Sequence, residues 1–243
     1  MCVSGREPLL IENTKEHPFT CDLPITFEAN IGSYVGVPVF YQDGELFGTL
    51  CAVDSKTSKF TQDNIAFLSK MSQFFSYVLE LEQQANYDSL TNLHNRNYLY
   101  KMFDTDIGLS SSSKGTIMFM DLDGFKGVND EHGHEFGDSV LEEVGNRIRQ
   151  YLSNRDIGVR IGGDEFVLVF QDLVDKDVIE RKAKSLLETM SDWTIYNETL
   201  NLTTSIGITM YSSTDVDIRS IIKKSDIAMY KAKKLGKNNY KFF

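Results

Sequence analysis

Cysteine is scarce in this 243-residue chain. Cys2, Cys21 and Cys51 are an odd count and sit at no CxxC or Cys/His spacing, so neither a disulfide framework nor a zinc site is expected. Long apolar runs are missing too. No stretch approaches the roughly 18 residues that cross a bilayer, and Met1-Cys-Val-Ser-Gly-Arg-Glu7 has no apolar signal-peptide core. The expectation is a cytoplasmic protein without a membrane span. Positive charge is in deficit: 25 Lys and Arg against 35 Asp and Glu give a net charge of −10. Such a field repels a nucleic-acid backbone, so nucleic acid is not an expected partner. Any anionic ligand must find a local group of cations. The 41% of hydrophobic residues is enough for real cores and argues against disorder as the main state.

The first part of the chain carries two strand patterns, Ser33 to Tyr41 and Glu45 to Val53, joined by the hairpin signal Gln42-Asp43-Gly44. Thr61 is placed to cap a long helix. On that helix Phe67, Leu68, Met71, Phe74, Phe75, Val78 and Leu81 recur at steps of three and four. The stripe needs a partner, and two stay open: the segment's own sheet, or the same helix of a second chain in a coiled coil.

From about Asp88 helices and strands alternate. A helix is expected over Asn95 to Phe103, a loop over Ser110 to Lys114 and a compact buried strand over Thr116 to Met120. A helix over Asp138 to Leu152 follows, with Val140, Leu141, Val144, Ile148 and Leu152 on one face. Next come a hairpin of Gly158 to Ile161 and Phe166 to Phe170 around Gly162-Gly163, a helix near Val178 to Met190 and a strand over Leu202 to Met210. The last elements are a helix from Ile218 to Leu235, stopped by Gly236, and a strand near Tyr240. The order β-α-β-β-α-β suggests an α+β, ferredoxin-like core with helices on one face of an antiparallel-containing sheet. No fixed-period repeat is present.

Two carboxylates can meet in such a fold, Asp121 at a strand end and Asp164 at a hairpin tip. If those strands are neighbours, the pair suits Mg²⁺, a hard ion that takes one or two protein carboxylates and completes its shell with water and phosphate oxygens. Gly162 and Gly163 let backbone and ligand approach closely. Lys126, Asn129 and Asp138 lie just beyond the first strand, and Lys233 and Lys237 around the end of the last helix. Metal, anion and polar base-reading positions therefore fall in one domain, as a nucleoside triphosphate requires.

The run Arg160-Ile-Gly-Gly-Asp-Glu-Phe166 is similar to the signature of the GGDEF family of diguanylate cyclases. Further blocks resemble it in order: Asp88-Ser-Leu-Thr91, Asn95-Arg96, Asp121-Leu-Asp-Gly-Phe-Lys-Gly-Val-Asn-Asp130, Gly133-His134, Gly137-Asp138, Ser205-Ile-Gly207 and Ser225 to Asn238. Several spaced blocks are more specific than a lone Gly-Gly. The resemblance implies a nucleotidyl-cyclase-like domain over 85–243 that condenses two GTP into cyclic di-GMP and two pyrophosphates. It implies Asp121, Asp164 and the Leu122 carbonyl as ligands of Mg²⁺, with Mn²⁺ as the alternative ion. Asn129 and Asp138 would read guanine, while Lys126, Lys233, Lys237 and the backbone at Phe125, Gly162 and Gly163 would hold the triphosphate. Glu165, beside Asp164, would assist deprotonation of the attacking 3′-hydroxyl. One domain binds one GTP, so the resemblance implies a homodimer about a two-fold axis.

The family's Arg-x-x-Asp product-inhibition motif is incomplete, because its window is Ser153-Asn-Arg-Asp156. Lys237 stands where arginine is common, keeping charge but losing bidentate geometry. His94 replaces a frequent proline. Residues 1–84 resemble the C-terminal half of a GAF domain through Ser33-Tyr-Val-Gly-Val-Pro-Val39 and Gly48-Thr-Leu-Cys-Ala-Val-Asp54, which implies a truncated or degenerate sensor. Its small-molecule or protein signal is not readable, and its last helix is expected to couple it to the cyclase domain. The alternative function is a non-catalytic GGDEF module that only binds GTP or cyclic di-GMP. A different nucleotidyl cyclase on the same core is disfavoured by Asn129 and Asp138.

Overall fold

The computed structural model describes residues 6–41, 43–57, 59–104, 114–191, 193–196, 198–212 and 217–243. It divides into two compact units, Met1–Gln83 and Gln84–Phe243. In the first unit β1 (Leu9–Ile11), α1 (Pro24–Glu28), β2 (Ser33–Phe40) and β3 (Leu46–Asp54) build an antiparallel sheet of order β1-β2-β3. The turn between β2 and β3 closes as its sequence dictates. Gly44 takes φ +83°, its N–H donates to the Tyr41 carbonyl, and the Asp43 carboxylate accepts from Glu45 N at 2.9 Å.

Helix α2 (Gln62–Asn86) begins with reciprocal capping: Thr61 Oγ1 accepts from Asn64 N, and Asn64 Oδ1 accepts from Thr61 N. Ser72 turns inward and donates to the Pro38 carbonyl of β2 at 2.5 Å. The apolar stripe of α2 does not pack on that sheet. Phe67, Phe74, Phe75, Val78 and Leu81 are exposed, and with the half-buried Met71 the positions 67, 71, 74, 78 and 81 follow a 4-3-4-3 spacing.

The second unit runs β4 (His94–Asn95), α3 (Arg96–Asp104), β5 (Lys114–Asp123), α4 (Phe125–His132), α5 (His134–Tyr151), β6 (Ile157–Gly162), β7 (Glu165–Gln171), α6 (Lys176–Thr189), a β8–β9 hairpin (Thr194–Ile195 and Glu198–Thr199), β10 (Thr203–Ser212), α7 (Ile218–Lys234) and β11 (Tyr240–Phe242). Its main sheet has the order β11-β10-β5-β7-β6-β4. The outer pairs β10/β11 and β4/β6 are parallel and the inner ones antiparallel.

Helices cover both faces of this sheet, not one. Met118, Met120, Leu122, Phe166, Leu168 and Phe170 pack against α4, α5 and α6, while Ile117, Phe119, Val167 and Val169 pack against α3 and α7. The reason is visible in β5, whose run Ile117 to Met120 is apolar at every position instead of alternating; such strands are buried on both sides. Ser110–Ser113 of the expected loop lie outside the described residues, and Lys114 opens β5. Short elements went unforeseen: β1 and α1 in the first unit, and here β4, the β8–β9 hairpin and α4, an eight-residue helix entered through Gly124 at φ +93°. Among the described residues no helix is long and apolar enough to cross a membrane.

Helix α7 lies close on β10 because position 207 has no side chain. A Cβ there would stand 1.9 Å from the Ser225 carbonyl and 2.3 Å from Met229 N, both helix backbone. Gly207→Ala is therefore expected to lower the unfolding free energy in urea by about 3 kcal/mol. Gly48→Ala, with nothing within 4 Å of its Cβ position, is the control that loses far less.

Candidate active site

The β5–β7 pairing sets the site. In that antiparallel register Asp121 lies directly opposite Glu165, two positions beyond the Phe119–Val167 pair, so both carboxylates project from the face covered by α3 and α7. Between β6 and β7, Gly162 at φ +156° and Gly163 at φ +54° turn the chain. Leu122 N donates to the Asp164 carbonyl at 3.3 Å, fastening the tip to the end of β5.

Arg160 braces this tip from behind. Its Nε donates to the Gly163 carbonyl at 3.0 Å, and one terminal nitrogen reaches Asp88 Oδ1 at 3.0 Å. The same Asp88 oxygen accepts from Thr91 N and Thr91 Oγ1. Burial alone would raise the Asp88 pKa, but the Thr91 and Arg160 hydrogen bonds outweigh it and hold the carboxyl below its ordinary value. The blocks Asp88-Ser-Leu-Thr91 and Arg160-Ile-Gly-Gly163 are thus one hydrogen-bonded support, a role that spacing alone did not reveal.

Asp121 is buried, and its Oδ1 forms an ion pair with Lys233 Nζ of α7 at 2.6 Å. Burial pushes its pKa up to about 6; the Lys233 contact opposes this, and the negative charges of Asp164 and Glu165 add to it. Glu165 is raised as well, by burial first and then by Asp226 and Asp164. Three carboxylates therefore crowd one sheet end with one ammonium among them. Among the described residues no three His, Cys, Asp or Glu side chains form a ready-made metal cage. Two carboxylates relieved by a cation whose remaining ligands are water and phosphate oxygens match Mg²⁺ rather than a metal that demands an all-protein shell. The residues present fit that ion.

Asp123, two residues on, is not part of this group. Its carboxylate accepts from Thr203 Oγ1 at 2.9 Å, Ser205 Oγ at 2.9 Å and Asn238 N at 3.2 Å. It thereby ties β5 to β10 and to the left-handed turn at Lys237 (φ +62°) and Asn238 (φ +44°). Lys237 is exposed on that turn, and Lys126 is exposed on α4 beside the buried Phe125.

Asn129 lies on α4 and Asp138 in the second turn of α5, and the two helices meet at Gly133. Asn129 Oδ1 is buried and has no hydrogen-bond partner among the described residues, a costly condition for a polar atom unless a ligand completes it. A Cβ at Gly137 would lie 1.9 Å from that oxygen, so the glycine makes room for the amide. Asp138 is exposed beside it. At the other end of α5, Asp156 Oδ2 accepts from Ser153 N and, at 2.7 Å, from Ser153 Oγ. The serine standing in the arginine position of the incomplete motif caps the aspartate.

Residues 85–239 match the family described as diguanylate cyclase, GGDEF domain, and residues 1–79 match the GAF domain family. The chain belongs to the GGDEF family. It is similar to the bifunctional diguanylate cyclase/cyclic di-GMP phosphodiesterase MucR of Pseudomonas aeruginosa, 37% identical over 166 residues, which is 68% of this chain and 24% of that protein. It is also similar to the diguanylate cyclase DgcP of Escherichia coli, 29% identical over 221 residues, 84% of this chain and 65% of the other. The GGDEF domain of PA1120 (YfiN or TpbB) from Pseudomonas aeruginosa superposes with a TM-score of 0.57 at 28% identity, covering 63% of this chain and 97% of that one. The chain spans about a quarter of the length of the first curated relatives it matches.

Because its folded pKa is lowered, Asp88 contributes stability that is complete above its unfolded value of about 4 and is lost as pH falls through the folded value. Asp88→Asn should cost about 1–3 kcal/mol at pH 7. The gap from wild type should narrow steadily below about pH 4 in denaturation curves.

Proposed function

We propose that this chain is a diguanylate cyclase, joining two GTP into cyclic di-GMP with release of two pyrophosphates. The observation that carries the reading is the sheet end where Asp121 and Glu165 stand in register beside Asp164, with Lys233 as their counter-charge. The unpartnered Asn129 oxygen supports it from the other side. An amide next to an exposed carboxylate suits guanine: Asp138 can accept from N1–H and the 2-amino group, and Asn129 can complete the remaining polar edge.

In the proposed mechanism Asn129 and Asp138 orient the base. Lys126 and Lys237 hold the triphosphate, together with Lys233, whose ammonium opposes the burial that raises the Asp121 pKa. The backbone at Phe125, Gly162 and Gly163 would add N–H donors to the same phosphates. Asp121, Asp164 and the Leu122 carbonyl would hold Mg²⁺, or Mn²⁺ in its place; when bound, the ion supplies charge neutralisation on phosphoryl oxygens and acidifies the attacking hydroxyl. Glu165, whose pKa is raised by burial, takes the proton as the 3′-hydroxyl of one GTP attacks the α-phosphorus of another. The reciprocal attack closes the ring. Every group named lies in one chain and handles one GTP, so two copies must face each other.

Purified protein incubated with GTP and Mg²⁺ should yield cyclic di-GMP and pyrophosphate on chromatography. Asp164→Ala and Glu165→Ala should each lower the rate by about 100-fold or more. GTP that binds and is returned unchanged by the wild-type protein would favour the receptor reading instead.

The exposed stripe on α2 supports a second copy as the missing partner of that helix. Phe74→Glu and Leu81→Glu should shift the protein toward monomer in light scattering and reduce specific activity in parallel. Equal mass and equal activity in both variants would remove α2 from the assembly.

A further inference from the structure

The sheet face that carries Glu165 also carries a cleft between α3 and α7, about 490 Å³ in volume, with Phe119, Ile161 and Ile222 in its walls. Its charged lining is three cations, Arg96, Arg219 and Lys223, and two carboxylates, Glu165 and Asp226. Apart from Glu165, it holds none of the residues given a role above.

Three features set the cations apart. None is within ion-pair distance of a carboxylate among the described residues, although the chain has ten surplus negative charges. Both arginines stand in the first turn of a helix, where the macrodipole disfavours a cation, and neither helix has an acidic residue in that turn. Asp217, the N-cap of α7, spends its carboxylate on Arg219 N. Both guanidinium groups also share one ring. Their central carbons lie 5.3 Å (Arg96) and 5.2 Å (Arg219) from the centroid of Tyr100, and Arg96 Nε donates to the Tyr100 hydroxyl at 3.0 Å. The ring holds them in place, and their terminal N–H groups have no partner among the described residues.

From these observations we propose that the α3–α7 cleft is an oligophosphate site with its own cations, bordering the Asp121–Lys233 edge through Glu165. Fixed guanidinium forks match phosphate oxygens bidentately. A diphosphate or longer chain brings more negative charge and a longer row of oxygens than a single phosphate, and so better engages three cations spread over two helices against the opposing charge of Glu165 and Asp226. The ligand is free pyrophosphate or the triphosphate arm of a nucleotide, and only the identity of that source depends on the cyclase reading.

The test is titration calorimetry of inorganic pyrophosphate into the full chain, at low ionic strength with a chelator, without turnover. The double variant Arg96→Gln/Arg219→Gln should bind about tenfold more weakly or worse, with its melting temperature unchanged. Lys223→Gln, away from the Tyr100 stack, should weaken binding on its own. Lys233→Ala should retain the cleft's affinity. Absence of pyrophosphate binding by the wild type, wild-type affinity in both cleft variants, or a loss confined to Lys233→Ala overturns the proposal. GTP competing with pyrophosphate on the Lys233→Ala protein assigns the site to a nucleotide arm; failure to compete assigns it to the free diphosphate, and either result upholds an oligophosphate site. A chain that makes no cyclic di-GMP can still pass this test.

Discussion

The pairing register of β5 with β7 is the constraint on which the rest of the second unit depends. Successive side chains alternate between faces, so a slip of one residue would send Phe166, Leu168 and Phe170 out of one core and Val167 and Val169 out of the other. Both cores therefore enforce the same register. That register sets Asp121 against Glu165 at the strand end, and the glycine turn brings Asp164 near enough for its charge to act on both. The site's geometry is a by-product of burial that would be selected for stability alone.

Having fixed the carboxylates, the fold must offset their mutual repulsion. It does so with cations that are themselves positioned by other contacts. Lys233 comes from α7, which approaches only because position 207 is glycine. Arg160 puts its charge behind the Gly163 carbonyl and is held there by Asp88, whose own hydrogen bonds come from Thr91. Asp123 does the opposite of its neighbour Asp121: it is buried, fully hydrogen-bonded and spent on the turn that presents Lys237. Two aspartates two residues apart on one strand share a face and differ in function because one has donors around it and the other has carboxylates.

Most of this frame was legible in the residues. Periodicity located the long helices, and the alternation of strand and turn signals located both hairpins, because those patterns are local. Burial on both faces of β5 was also written in its unbroken apolar run, but the β-α-β-β-α-β order pointed to helices on one side. Helix α4 escaped because it is eight residues long and carries Gly127 in its middle, which local propensity disfavours. The proposed metal and base positions were named from motif blocks. The Arg160–Asp88 brace, the Asp123 tether and the space Gly137 leaves for Asn129 could not be, since each joins residues that only tertiary packing brings together.

Charge explains why such a site must be local. A chain with a net charge of −10 repels a triphosphate at long range, but at physiological ionic strength the field of exposed charges decays over about 8 Å. Within that distance only the immediate lining counts. Lys233 of α7 stands at the carboxylate row, while Arg96, Arg219 and Lys223 gather on the flank between α3 and α7. The acidic surface elsewhere then works in the opposite sense. It discourages anions from resting away from local groups of cations, because an anion gains only where direct contact outweighs the field of the whole molecule.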